Sequence, residues 1–146
     1  MSDFITIYTD ASVRNQISRT QAAWRGKCIF GSIEGTQLLR HDGHVARAEM
    51  KAMLCGVHDA LYWYPQVEGF FINSDNLQCV ENFWTFRKKP VQKELKDIYE
   101  LIMKLADGRW IRTKHVKAHT GGKDIRSYMN RHVDRLTRQE RCADDC

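Results

Sequence analysis

The stretch Phe4-Ile5-Thr6-Ile7-Tyr8-Thr9-Asp10-Ala11-Ser12 decides how the chain is read. Phe4 to Tyr8 are β-branched and aromatic, and small polar residues then interrupt the run, which predicts a strand presenting an aspartate at its tip. The pattern returns at Gly69-Phe70-Phe71-Ile72, an apolar burst that ends at Asn73-Ser74-Asp75-Asn76. Between the two, residues 22–33, with Trp24, Cys28, Ile29 and Phe30, predict a second strand. Gly31 and Gly35 punctuate the way to a third around residues 36–40, so the three form an antiparallel meander. Met50, Met53, Leu54, Val57 and Leu61 share one face of a helix over about residues 45–64, which Pro65 stops, with Glu49 near its beginning.

Beyond Asp75, a short helical segment over residues 77–83 leads into Trp84-Thr85-Phe86-Arg87-Lys88-Lys89-Pro90. Leu95, Ile98, Leu101, Ile102 and Leu105 mark another amphipathic helix, which Asp107-Gly108 ends. Residues 110–116 predict a fifth strand of weak alternation, because Arg112 and Lys114 interrupt it. After the loop His119-Thr120-Gly121-Gly122, a final helix from about Ser127 turns Tyr128, Val133 and Leu136 inward and carries Asp134 in its first turns. Strands and helices in this order predict an α/β fold, a mixed sheet with helices on both faces. In such sheets ligands bind in the crevice beyond the carboxyl ends of the strands, where Asp10 and Asp75 are expected.

Composition narrows the function classes. The 146 residues have room for a single domain over 1–146, with 141–146 expected as a flexible tail, and an apolar fraction of 42% is ample for a packed core. The 23 lysines and arginines against 18 acids give a net charge of +5, which favours a polyanionic partner without requiring one. No apolar run approaches the roughly 20 residues of a membrane span, and Met1-Ser2-Asp3 lacks the basic start of a signal peptide. A soluble, cytoplasmic monomer is expected. Cys28, Cys55, Cys79, Cys142 and Cys146 form no Cys-x-x-Cys pair and have no histidine at zinc-finger spacing, so they read as reduced thiols.

A single strand-tip aspartate is commonly a turn former or a helix cap. Here Asp10, Glu49, Asp75 and Asp134 are all expected at element ends or first turns facing one sheet edge. Acids packed together repel, so a fold keeps them only if a cation neutralises them. Carboxylates with no cysteine or histidine partner suit Mg²⁺ or Mn²⁺, whose remaining ligands are water and phosphate oxygens. Two such ions about 4 Å apart activate a water and stabilise the leaving oxygen of a phosphodiester, which is nuclease chemistry.

The chain resembles a type 1 ribonuclease H over nearly its whole length. Ile5-Thr6-Ile7-Tyr8-Thr9-Asp10-Ala11-Ser12 resembles that family's first strand ending in Thr-Asp-Gly-Ser, and Ala46-Arg47-Ala48-Glu49-Met50-Lys51-Ala52 its Asn-Arg-x-Glu-Leu-x-Ala. Asn73-Ser74-Asp75-Asn76 is similar to its Thr-Asp-Ser, and His115-Val116-Lys117-Ala118-His119-Thr120-Gly121 to its Trp-Val-Lys-Gly-His-x-Gly. Asn130-Arg131-His132-Val133-Asp134-Arg135-Leu136-Thr137-Arg138 resembles Asn-Glu-x-x-Asp-x-Leu-Ala-Arg. Five weak matches in the right order make a strong one.

The resemblance implies a five-stranded sheet, three antiparallel strands then parallel ones, and cleavage of the RNA strand of RNA–DNA hybrids to 5′-phosphate and 3′-hydroxyl ends. Asp10, Glu49, Asp75 and Asp134 would ligate two Mg²⁺ ions, with Mn²⁺ able to substitute, and Glu49 would also contact the ribose 2′-OH. His119 would assist proton transfer or product departure, a role that suits a side chain titrating near neutral pH. His41, His44, His58, His115 and His132 are read as structural or surface residues. Phe83, Trp84, Phe86, Arg87, Lys88, Lys89 and Lys93 interleave aromatics with cations where the family places a basic protrusion, and Lys96 continues the charge. Trp84, Arg87, Lys88, Lys89 and Lys93 are expected to contact substrate, as are Ser12, Arg14 and Asn76.

The departures from the family bear on substrate. Val13-Arg14-Asn15-Gln16-Ile17-Ser18-Arg19-Thr20 replaces a Gly/Pro-rich loop, Val45 and Ala46 stand where paired asparagines contact the hybrid, and Asn76-Leu77 replaces Ser-Gln. Losing polar readout would relax 2′-OH discrimination. The alternatives are a nuclease of the same fold acting on branched DNA or duplex RNA, a non-catalytic nucleic-acid-binding module, and a protein-interaction domain whose acids are caps.

Overall fold

The structure is a computed structural model that describes residues 3–14, 19–40 and 45–116. Strands β1 (Phe4–Arg14), β2 (Arg19–Cys28) and β3 (Gly31–Arg40) come first, then helix α1 (Val45–Trp63) and strand β4 (Gly69–Ser74). Helices α2 (Leu77–Glu81) and α3 (Lys93–Ala106) precede strand β5 (Trp110–His115). The five strands make one mixed sheet in the order β3-β2-β1-β4-β5. β1, β2 and β3 pair antiparallel, whereas β4 joins β1 and β5 joins β4 in parallel.

Three expectations need correction. β1 does not stop at Tyr8 but runs through Thr9-Asp10-Ala11-Ser12 to Arg14. The reason is a change of neighbour. Pairing with β4 ends at Tyr8↔Asn73, while pairing with β2 continues to Arg14↔Arg19 and holds β1 extended. Asp10 therefore lies two residues past the end of the parallel ladder without being at the end of its strand. Likewise the segment 22–33 is not one strand. A turn at Ile29-Phe30 folds β3 back on β2, and β3 begins at Gly31 rather than near Thr36. These two residues are apolar, so composition hid the turn; Ile29 is 79% exposed.

The third correction concerns α3, whose buried residues are Leu95, Ile98, Ile102 and Ala106, while Leu101 is exposed. The helix ends as Asp107-Gly108 predicts: both residues have positive φ, 50° and 85°, and the Asp107 N–H donates to the Met103 carbonyl at 3.2 Å.

Alternation on the strands places Ile5 and Ile7 of β1, Trp24 of β2, and Phe70 and Ile72 of β4 against α1, which buries Met50, Met53, Val57 and Ala60. α3 packs on α1, so the described helices all lie on one face of the sheet. The final helix expected from about Ser127, which would cover the other face, lies outside the described residues. No helix among the described residues is long and apolar enough to cross a membrane.

Candidate metal centre and nucleic-acid interface

Parallel strands deliver Asp10 and Asp75 to the same level. Because Tyr8 pairs with Asn73, the register two residues on sets Asp10 beside Asp75, the first residue after β4. α1 starts over the same edge, and Glu49 in its second turn points into the gap. Carboxylate oxygens of Asp10, Glu49 and Asp75 lie within 4.8 Å of one another. Asp10 and Glu49 are only 5% and 4% exposed, so little water shields this charge.

The residues around Asp75 hold it in place. His115 Nε2 lies 3.0 Å from the Asp75 carbonyl oxygen. The Asn76 N–H donates to Ser74 Oγ at 3.2 Å, and Asn76 Oδ1 accepts from the Cys79 N–H at 3.0 Å, capping α2. The Cys79 thiol donates to the Ala46 carbonyl at 3.2 Å and ties α2 to the start of α1. Burial, then the charges of Glu49 and Asp75, push this thiol well above its ordinary value, which registers the negative field of the acids.

Arg47 braces the site from below. Its guanidinium forms a two-pronged pair with Asp97 of α3, at 2.8 and 3.0 Å, and also donates to the Glu94 carbonyl. The hydrogen bond from Arg47 holds the Asp97 carboxyl below its ordinary value. A depressed carboxylate contributes stability that is present above its unfolded-state value, near pH 4, and is lost as pH falls through the folded value. The difference in unfolding free energy between wild type and Asp97→Asn is therefore expected to be under about 1 kcal/mol at pH 7, because Asp97 is largely exposed, and to shrink towards zero near pH 2. Urea titrations at the two pH values check it.

The aromatic and basic segment between α2 and α3 borders an open groove of about 750 Å³, lined by Trp84, Arg87, Lys88, Lys89 and Lys93 together with Asn82. The Trp84 and Phe86 rings lie tilted to one another with centroids 5.6 Å apart, and Phe86 is 77% exposed. The Arg87 guanidinium sits 5.8 Å from the Tyr99 ring centre. Lys96 turns instead to Glu100 at 4.0 Å. Asn82 was not singled out from sequence. Its buried Nδ2 has no hydrogen-bond partner among the described residues, and only the flanking aromatics could have signalled it.

Ser12 is half-buried within β1, two residues past Asp10 and paired with Gln21. Arg14 ends β1 and pairs with Arg19, so the two ends of the expected 13–20 loop are strand, while 15–18 lie outside the described residues. Val45, where the resemblance implies an asparagine, is 53% exposed at the start of α1. Asp134, His119, Cys142 and Cys146 lie outside the described residues, so the structure brings together three of the four predicted acids.

The sequence pattern of the RNase H family matches residues 2–141. The chain belongs to the RNase H family. No curated protein matches it. Among solved structures, the N-terminal RNase H domain of a Mycobacterium tuberculosis protein is 18% identical with a TM-score of 0.69, over 94% of this chain and 95% of that one. RNase H1 from the halophilic archaeon Halobacterium salinarum is 17% identical, with a TM-score of 0.67 over 91% and 93%. LC11-RNase H1, solved in complex with an RNA/DNA hybrid, is 14% identical, with a TM-score of 0.65 over 90% and 98%. At these identities the likeness establishes the fold.

Proposed function

We propose that this protein is a metal-dependent endonuclease that hydrolyses the RNA strand of RNA–DNA hybrids, leaving 5′-phosphate and 3′-hydroxyl ends. The observation that carries the reading is the convergence of Asp10, Glu49 and Asp75. An all-oxygen, all-acidic donor set fits hard divalent ions, Mg²⁺ first and Mn²⁺ as a substitute. When bound, two such ions supply an activated water and stabilise the leaving oxygen. Asp10 of β1 and Asp75, just after β4, would hold the ions, Glu49 of α1 would hold one and meet the ribose 2′-OH, and Asp134 would complete the set. His119 moves a proton or speeds product departure. Ser12, Arg14 and Asn76 contact substrate near the acids.

Trp84, Arg87, Lys88, Lys89 and Lys93 hold the backbone of the bound strand, with phosphates on the cations and a sugar against the indole. Lys88→Glu with Lys89→Glu is accordingly expected to raise KM for hybrid about tenfold or more while leaving kcat nearly unchanged, and to flatten its salt dependence. Steady-state kinetics at two salt concentrations check it.

A reading in which the same centre cuts duplex RNA or branched DNA is favoured by the departures from the family pattern at residues 13–20, Val45-Ala46 and Asn76-Leu77, of which the exposed Val45 offers no polar readout. Gel analysis of labelled hybrid, duplex RNA, duplex DNA and branched DNA with Mg²⁺, and with EDTA as control, tests both. Hybrid left intact by purified protein would sink the first reading; cleavage of another substrate in its place would establish the second. A cytoplasmic monomer is the working expectation.

A further inference from the structure

Asp75 stands just beyond the backbone ladder of the sheet. Pairing of β4 with β1 ends at Tyr8↔Asn73, and pairing with β5 ends at Ser74↔His115. Among the described residues, the last backbone bond from the β5 side runs from the Val116 N–H to the Ser74 carbonyl at 2.9 Å. Asp75 is the next residue, and its carboxylate lies within 4.8 Å of those of Asp10 and Glu49. Like charges at that distance repel, so in the absence of an ion the acids push Asp75 outward.

Side chains take over where the ladder stops. The pairs Ile72↔Thr113 and Ser74↔His115 set Thr113 and His115 on the sheet face of Phe70 and Ile72, the face on which α1 and α2 pack. From there Thr113 Oγ1 donates to the Val80 carbonyl of α2 at 2.6 Å, and His115 Nε2 lies 3.0 Å from the Asp75 carbonyl oxygen. A carbonyl oxygen only accepts, so Nε2 carries the hydrogen and His115 is the donor.

That bond completes the definition of the Asp75 backbone. The peptide before Asp75 is fixed by Val116 through the Ser74 carbonyl. The peptide after it is fixed at both ends, its carbonyl by His115 and its N–H, that of Asn76, by Ser74 Oγ at 3.2 Å. With both flanking peptides held, φ and ψ of Asp75 are set, and with them the direction of its side chain. The Ser74 contact is local to the turn. His115 comes from 40 residues away and ties the turn to the neighbouring strand.

We propose that His115 is a positioning residue for the acidic centre: by holding the Asp75 carbonyl, its Nε2–H keeps the Asp75 carboxylate turned towards Asp10 and Glu49 and so raises the affinity of the site for a divalent ion. The inference rests on the reading of the three acids as a metal site. It gives His115, expected from sequence to be a structural or surface residue, a part in loading that site. Groups that orient metal ligands in this way typically change affinity by about 10–100-fold when they are removed.

The test is Mn²⁺ binding to the full chain, followed by electron paramagnetic resonance of the free ion, for wild type, His115→Gln, His115→Asn and His115→Phe. The amide nitrogen of glutamine reaches as far as Nε2, whereas that of asparagine reaches only as far as Nδ1. His115→Asn and His115→Phe are expected to raise the Kd for Mn²⁺ about tenfold or more, and His115→Gln to stay near the wild-type value. Thermal melts in EDTA accompany each titration. A side chain that served the fold alone would shift the melting temperature without moving the Kd of the folded protein. If His115→Phe fails to fold, the glutamine and asparagine variants carry the comparison, since both keep a polar amide. The proposal is overturned if His115→Asn binds Mn²⁺ as tightly as wild type does, or if His115→Gln binds no more tightly than His115→Asn. A wild type that binds no Mn²⁺ overturns the metal site and this proposal together, whereas tight binding shared by wild type and His115→Asn overturns the proposal alone.

Discussion

Asp10→Asn is expected to lower hybrid cleavage by about 10³-fold or more and, in EDTA, to raise the melting temperature. The two effects share one cause. Asp10 is buried, and its carboxylate stands within 4.8 Å of those of Glu49 and Asp75. Charge stabilisation by a bound divalent ion is worth several kcal/mol in the transition state, and each 1.36 kcal/mol is tenfold in rate. Without an ion, the same proximity is a repulsion of order 3 kcal/mol per pair at an effective dielectric near 20, of which relaxation leaves about 1–2. For a chain of 146 residues that corresponds to about 3–8 °C. Thermal melts with EDTA and with Mg²⁺ check it: wild type should gain stability from Mg²⁺, and Asp10→Asn should gain much less. Equal melting temperatures in all four conditions would show that the three acids are not a metal site.

Phe70→Ala is the substitution expected to damage the fold most. Phe70 is fully buried in β4, on the sheet face beneath α1, and it pairs with Ile5 and Ile111 on its two sides. Truncation removes its apolar surface and leaves a cavity that the strands cannot collapse around, at a cost of about 3–5 kcal/mol. That is a large share of the roughly 5–15 kcal/mol available to a domain. The midpoint of urea unfolding should fall with little change in m-value, and an effect below about 1 kcal/mol would contradict the packing described. Asp75 follows β4 by one residue, so the loss of packing reaches the acidic centre through its backbone.

Much of this was legible in the sequence. Glu49 was placed on a helix by the spacing of Met50, Met53 and Val57, and Asp75 after a strand by the contrast between Phe70-Phe71-Ile72 and the polar residues that follow. Asp10 lies within β1 and not at its tip. Its small polar neighbours mark where β4 stops pairing with β1, not where β1 ends, because β2 goes on supplying hydrogen bonds. The apolar turn at Ile29-Phe30 carried no turn signal, and Leu101 matched helical spacing yet faces solvent. Asn76, expected to contact substrate, has a local role as the cap of α2.

By itself the sequence determined the strand and helix periods, the identities of the acids and the position of the basic, aromatic segment, since these depend on residues a few places apart. Only the tertiary structure decided that three carboxylates from β1, α1 and the end of β4 share one gap, that Arg47 reaches Asp97, and that Phe4, Phe71 and Trp110 meet on one sheet face. The physical reason is register. Which side chains become neighbours across parallel strands is set by long-range pairing and by what packs against each face, and no local pattern encodes it.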